Sequence, residues 1–259
     1  MKITVFTSNQ PRHLAYVRQL SEVADEVFFI SESTTVFPGQ IEDFYAKSAT
    51  MQEYFGAVRA AELEVFGDFT FSPANARVLA IKQGDLNMVD RQILAPALDS
   101  DLYLVFGSSF IKGWLISELV EKRAVNIHMG LSPYYRGSSC NFWALYDEKP
   151  AFVGATVHLL SPGLDNGPAL FHVRPDYQGQ DLFRFTMESV RKVQSRIVEE
   201  ISSGGLLDYH PRAVDASSQI RYTRNRDFTD AVASEFLARD YSPRTLQRLL
   251  DAEHQPTLL

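Results

Sequence analysis

The sequence runs to 259 residues, 45% hydrophobic and 22% charged, enough for one large globular domain or a domain with an appendage. Its net charge of −7 argues against binding of tRNA or DNA, which calls for a basic surplus. One cysteine, Cys140, allows no intrachain disulfide and fits a reducing cytoplasm, and the N-terminal apolar run is too short for a signal peptide or a membrane span.

Residues 2–8 read as a buried strand built on Ile3, Val5 and Phe6. Pro11 then suits a first helical turn, Ser8 or Asn9 suits a cap, and Leu14, Val17 and Leu20 recur at helical spacing. This junction, with Arg12 at the helix start, is either an anion site or an ordinary turn. The Rossmann glycine fingerprint is missing, so dinucleotide binding has no support. Glu26 to Ile30 is a second strand, residues 31–43 a loop turning at Pro38-Gly39, and residues 43–66 a helix carrying Met51, Phe55 and Val58 on one face.

Ala76 to Lys82 is the third strand. Leu102 to Phe106 is a near-continuous apolar run, as in a central parallel strand covered on both faces. It ends in Gly107-Ser108-Ser109-Phe110, small residues that let a ligand approach the backbone. A short helix over 111–121 leads to a strand over 124–129. Residues 153–160 and 169–177 read as two further strands joined by the turn Gly163–Pro168, and residues 181–203 as a long helix with Val190, Val193, Ile197 and Ile201 on one stripe, stopped by Gly204-Gly205. Alternating strands and helices predict an α/β fold, a doubly wound and mostly parallel sheet over residues 1–205. Residues 206–259, with two short helices and no clean linker, form a small appendage expected to pack on that core.

Asn126 and His128 stand two apart in a strand and so share a face. An amide beside an imidazole can stabilise an oxyanion and move a proton. The turn Gly163-Leu164-Asp165-Asn166-Gly167-Pro168 offers a carboxylate. Together the three side chains suggest an acyl-transfer site. The stretch NIHMGLSPYYRGSSCNFWALYDEKPAFVGATVHLLSPGLDNGPAL resembles the core of the folate-dependent formyltransferases, with Asn-x-His, a proline-containing loop ending in glycine, and an Asp-x-Gly-Pro turn. One departure stands in the loop, where many members read Ser-Leu-Leu-Pro and this chain has Gly130-Leu131-Ser132-Pro133. The Ser132–Pro133 bond is expected to be cis, being a proline in a tight loop after the catalytic strand.

The resemblance implies catalytic roles for Asn126, His128 and Asp165 and N10-formyltetrahydrofolate as cosubstrate. It sets Gly107, Ser108, Ser109 and Phe110 against the pterin ring, with His158 and Leu164 alongside; His158 is equally readable as a satisfied strand histidine. The acceptor is harder to read. The chain is short and acidic where tRNA-directed members carry a basic domain, and it lacks the glycine-rich phosphate loop of glycinamide ribonucleotide enzymes. What remains resembles the sugar N-formyltransferases, which act on nucleotide-linked amino sugars, GDP-perosamine among them, for O-antigen and other surface polysaccharides. Formylation of a small non-sugar amine (hydroxyornithine or glycinamide ribonucleotide), formyltetrahydrofolate hydrolysis and a silent folate- or nucleotide-binding module are the alternatives. A diphosphate needs cations, and Arg12, Arg136 and Arg224 are candidates, with Tyr135, Gly137 and Tyr222 beside them. The cluster around Arg224 reads equally well as a solvated strand paired with Asp227 and Asp230. The aromatic residues Tyr134, Tyr135, Phe142 and Trp143 read as loop, stacked on a ring or packed under a lid. No metal is expected, since no ligand spacing occurs, and neither nucleic acid nor a membrane is an expected partner. A homodimer is compatible with the chain.

Overall fold

A computed structural model describes residues 1–35, 48–163, 165–206, 208–252 and 255–259. Among the described residues nine strands form two sheets: β1 (Lys2–Ser8), β2 (Glu26–Ser33), β3 (Ala76–Lys82), β4 (Leu102–Val105), β5 (Val125–His128), β6 (Tyr135–Gly137), β7 (Ala155–Leu159), β8 (Ala169–Val173) and β9 (Arg221–Thr223). The helices are α1 (Pro11–Val23), α2 (Ala49–Phe66), α3 (Arg91–Leu94), α4 (Gly113–Glu121), α5 (Cys140–Tyr146), α6 (Leu182–Ser202), α7 (Asp230–Leu237) and α8 (Pro243–Ala252).

The main sheet has the order β3-β2-β1-β4-β5-β7-β8. Its first five strands are parallel, and β7 and β8 add on as an antiparallel edge. The apolar strands are covered twice, as their continuous hydrophobicity predicts. Val5, Leu104 and Ile127 face Tyr16 and Leu20 of α1 and Val193 and Ile197 of α6, while Phe6, Phe28 and Val105 face Leu94, Leu115 and Leu119 on the other side. Each such fully buried side chain contributes about 1.5–3 kcal/mol. From β1 the chain crosses to β2 on one side and later to β4 on the other, which opens a crevice at the carboxyl ends of β1 and β4.

The two long helices start at polar caps. Ser48 Oγ accepts the Met51 N–H at 3.1 Å, and Asp181 accepts those of Phe183 and Arg184 at 2.9 and 3.1 Å. The sequence places the start of α2 near residue 43; residues 36–47, including the turn expected at Pro38-Gly39, lie outside the described residues. Two readings need correction. The loop after β5 contains β6, which pairs in parallel with β9. Phe142 and Trp143 are not loop residues: they lie in α5, buried in an aromatic cluster with Tyr54, Phe228 and Phe236. That cluster seats α7 and α8 on α2 and α5. No helix among the described residues is long and apolar enough to cross a membrane.

Candidate active site

A cleft of about 610 Å³ opens over the carboxyl ends of β1, β4 and β5. Asn126, His128, His158 and Asp165 meet on one wall, and Gly107 to Phe110 form the wall that follows β4. The pairing of β5 with β7 sets Asn126 opposite His158 and His128 opposite Thr156. Asp165 arrives from the β7–β8 connection in the left-handed region, φ 47°, which aspartate tolerates better than most residues.

The four side chains form a connected set. His158 Nδ1 lies 2.9 Å from the Leu159 carbonyl, which can only accept, so this nitrogen donates. His158 Nε2 then accepts from Asn126 Nδ2 at 2.9 Å, which fixes the orientation of the amide. The second N–H of Asn126 reaches Asp165 Oδ1 at a long 3.4 Å, and His128 Nδ1 stands 3.3 Å from Asp165 Oδ2. His128 Nε2 is buried without a hydrogen-bond partner. Gly130 makes room for it: a Cβ there would stand 2.8 Å from His128 Nε2 and 2.4 Å from Cys140 Cβ.

Burial alone would pull the His128 imidazole down, but the Cys140 sulfur and the Asp165 carboxylate beside it outweigh that and hold its pKa well above the ordinary value. For Asp165, burial opposes ionisation, yet His128 and His158 keep its pKa below the usual carboxylate range. The site thus sets an imidazole that favours its proton against a carboxylate that favours its charge, with an amide N–H loosely attached to the same carboxylate.

The backbone around this set is held by buried polar residues that sequence reasoning did not single out. Thr156 Oγ1 donates to the Gly130 carbonyl at 2.7 Å and accepts from Ser132 N at 2.8 Å. The Ser132–Pro133 bond between these turns is cis, as expected. Glu32, 1% exposed, accepts the backbone N–H of Gly84 at 2.9 Å and of Ser109 at 2.5 Å. It spans the crevice and ties the Gly107–Phe110 wall to the far half of the sheet. A charged residue two places after the apolar run Val27–Ile30, still within the strand, was the available signal, since an unpaired carboxylate is rarely buried. Gly107 (φ 71°) is pinned by His13, whose Nε2 would lie 2.7 Å from a Cβ at that position. His13 is itself buried against Phe106, with burial first and the Arg12 charge second lowering its pKa.

The expected acceptor residues separate. Arg12 lines the cleft, but its guanidinium is paired at 2.8 Å with Glu62, a carboxylate only 2% exposed. Gly137 lines the cleft; Tyr135 does not, being 1% exposed with its hydroxyl on Asp147. Tyr222 and Arg224 are exposed and off the cleft wall, because β9 turns them to solvent; Asn225 and Phe228 from the same stretch do line it. Arg221 is taken up by Asp147, at 2.8 and 2.5 Å, and lies over the Trp143 ring. Arg136 lies behind Asp165 in a separate, smaller pocket. Leu164 lies outside the described residues. Among the described residues no group of three or more His, Cys, Asp or Glu side chains is placed to hold a metal ion.

Comparison with known proteins shows the family and the fold. The formyl transferase family model matches residues 1–200. A methionyl-tRNA formyltransferase of Trichlorobacter lovleyi is 28% identical over 153 residues, which cover 48% of this chain and 48% of that protein. The chain thus spans about half the length of that curated relative. Two solved structures share the fold. A sugar N-formyltransferase from Shewanella sp FDAARGOS_354 gives a TM-score of 0.53 at 17% identity, covering 88% of this chain and 78% of that one. The formyltransferase PseJ from Anoxybacillus kamchatkensis, in complex with UDP-4,6-dideoxy-4-formamido-L-AltNAc and tetrahydrofolate, gives 0.50 at 14% identity, covering 95% and 97%.

Proposed function

The chain belongs to the formyl transferase family, and we propose that it moves a formyl group from N10-formyltetrahydrofolate to the amine of a nucleotide-linked amino sugar. The observation that carries the chemistry is the Asn126–His128–Asp165 set on one wall of the cleft, with His128 3.3 Å from the Asp165 carboxylate, its pKa raised, and its Nε2 unpartnered. The folate supplies an activated formyl carbon. Asn126 turns its loosely held N–H from Asp165 to the formyl oxygen as charge develops there. His128 gives its proton to the departing folate nitrogen, and Asp165 receives the proton that the attacking amine sheds and keeps the imidazole oriented. One proton leaves the amine and one reaches the folate nitrogen, so the exchange balances.

Gly107, Ser108, Ser109 and Phe110 offer backbone edges and a half-exposed ring as a platform for the pterin, with His158 closing the site beside Asn126. A cleft of about 610 Å³ falls within the usual range for a small-molecule site, about 300–1,000 Å³. The sugar acceptor is supported by the fold shared with a sugar N-formyltransferase and with a formyltransferase solved in complex with a UDP-linked formamido sugar and tetrahydrofolate. GDP-perosamine is the specific acceptor to try first, and surface polysaccharide synthesis the setting. The deciding experiment incubates the chain with N10-formyltetrahydrofolate and a panel of nucleotide-linked amino sugars, hydroxyornithine and glycinamide ribonucleotide, following formylated product by mass spectrometry. Product from an amino-sugar nucleotide supports the reading; product from hydroxyornithine or glycinamide ribonucleotide alone overturns it.

A further inference from the structure

We propose that the small pocket behind Asp165 is an anion site for the acceptor's diphosphate, with the Arg136 guanidinium and the Ser132 hydroxyl as its donors. This rests on the amino-sugar nucleotide reading above. The pocket, about 280 Å³, is lined by Ser132, Pro133, Arg136, Asp165, Asn166 and Pro168, with Ala213 and Val214 at its rim. Asp165 lines this pocket and the catalytic cleft alike, so it forms the wall between them.

Two independent features point to an anion. The first is the company Arg136 keeps. Its hydrogen bonds go to the amide oxygens of Asn166 and Gln219, both neutral, and among the described residues no carboxylate pairs with it. Arg12, Arg184, Arg221 and Arg239 each have a carboxylate partner. A guanidinium that lines a pocket and is held there by amides alone is a cation left for an incoming anion. The second is Ser132. It is 2% exposed, and its Oγ has no hydrogen-bond partner, a state that costs free energy unless a ligand completes it. The two prolines have no N–H to offer, Arg136 supplies the charged donors of the lining, and Ser132 and the Asn166 amide supply neutral ones.

The size and the shared wall set the ligand class. At about 30 Å³ per water the pocket has room for one or two phosphate groups and not for a whole nucleotide, so the nucleoside would extend over the rim at Ala213 and Val214. A diphosphate gripped by Arg136 leaves the sugar to pass the edge of Asp165 and bring its amine into the cleft, where the same carboxylate stands 3.3 Å from His128. Anion and amine then meet guanidinium and carboxylate in turn, which discriminates against amines lacking a phosphate.

The test is calorimetric titration of the full chain with GDP, UDP, dTDP, inorganic pyrophosphate and the corresponding nucleosides, alongside 5-formyltetrahydrofolate. The expected result is that pyrophosphate and at least one nucleoside diphosphate bind while the nucleosides do not. Arg136→Gln should weaken that binding by about tenfold or more, Ser132→Ala by less, and Arg136→Lys should recover part of it. The folate affinity of all three variants should stay within about twofold, which also reports that they fold. Nucleoside diphosphate binding that is unchanged in Arg136→Gln and Ser132→Ala overturns the site while leaving the acceptor class standing. A wild-type chain that binds folate but no phosphate compound overturns the acceptor class and the site together.

Discussion

Replacing Gly130 by alanine probes how tightly the seat of His128 is built. The new methyl carbon would fall 2.4 Å from Cys140 Cβ and 2.8 Å from His128 Nε2. Non-bonded carbons rest at about 3.5–4.0 Å, so the first contact is more than about 1 Å too close. Cys140 Cβ cannot swing aside, because it is fixed to the backbone of α5. The imidazole or the β5 end must yield instead. His128 has one bond to keep, 3.3 Å to Asp165 Oδ2, and a shift of about 1 Å breaks it. Misplacement on that scale costs about 10²-fold in rate. Overpacking costs about 1–3 kcal/mol, a Tm drop of roughly 2–12 °C at this chain length. The assay is kcat/KM for the acceptor found by the product screen, with Tm measured in parallel. Cys140→Gly removes the obstructing Cβ, so the double variant should turn over at least about tenfold faster than Gly130→Ala alone, a non-additive outcome. Turnover of Gly130→Ala within about threefold of wild type, or strict additivity in the cycle, would refute the reasoning.

His128→Ala and Asp165→Asn should each lower turnover by about 10²-fold or more; near-normal rates in either variant would remove that residue from the mechanism. The ion pair also makes a pH signature. His128, with a raised folded pKa, stabilises fully below its unfolded value of 6.5 and loses that contribution as pH climbs through the folded pKa. Asp165, with a depressed one, stabilises above its unfolded value of 3.8 and loses the contribution as pH falls through the folded pKa. The Tm difference between wild type and Asp165→Asn should therefore be largest between about pH 4 and 6.5 and shrink above it; a difference that stays flat to alkaline pH counts against the pairing. Arg12→Ala should cost roughly 3 kcal/mol in urea unfolding, the lower end of the range for breaking a buried pair because Arg12 keeps some water contact, and Glu62→Gln in the same chain should restore most of it. If Arg12→Ala instead raised the acceptor KM with stability intact, its place would be on the substrate.

The strands β1, β2, β4 and β5 were legible because each is a short apolar run that the fold buries, and the partly exposed edge strand β3 because Val78, Leu79 and Ile81 still mark it; the turns between them carry their own punctuation. Asn126, His128 and Asp165 were legible through the motif, though nothing local says that Asp165 reaches both Asn126 and His128. The short pairing of β6 with β9 was not legible: Tyr-Arg-Gly has no strand alternation, and its partner Arg221–Thr223 lies far along the chain. The start of α5 hid for a related reason. Ser138-Ser139-Cys140-Asn141 has low helix propensity, and Ser139 sits at φ 56° without a side-chain cap, so burial of Phe142 and Trp143, not local preference, makes the helix. The arginines show the limit most plainly. Arg12, Arg136, Arg221 and Arg224 look alike in sequence, and only the presence of Glu62 or Asp147 alongside separates a paired cation from an open one.

Glu32 also has a bearing on motion. Gly84 and Ser109 belong to turns remote from each other in the chain, yet both N–H groups end on this one carboxylate. Neither amide can open to solvent without loosening the acceptor of the other, so the two turns breathe as a single cooperative unit. Hydrogen exchange at Gly84 and Ser109 should then proceed at matched rates. Glu32→Gln can accept from only one N–H while its own NH₂ faces the other, and it should speed exchange at both amides together. The stiffness of the wall offered to the folate is, on this account, governed from the opposite side of the crevice.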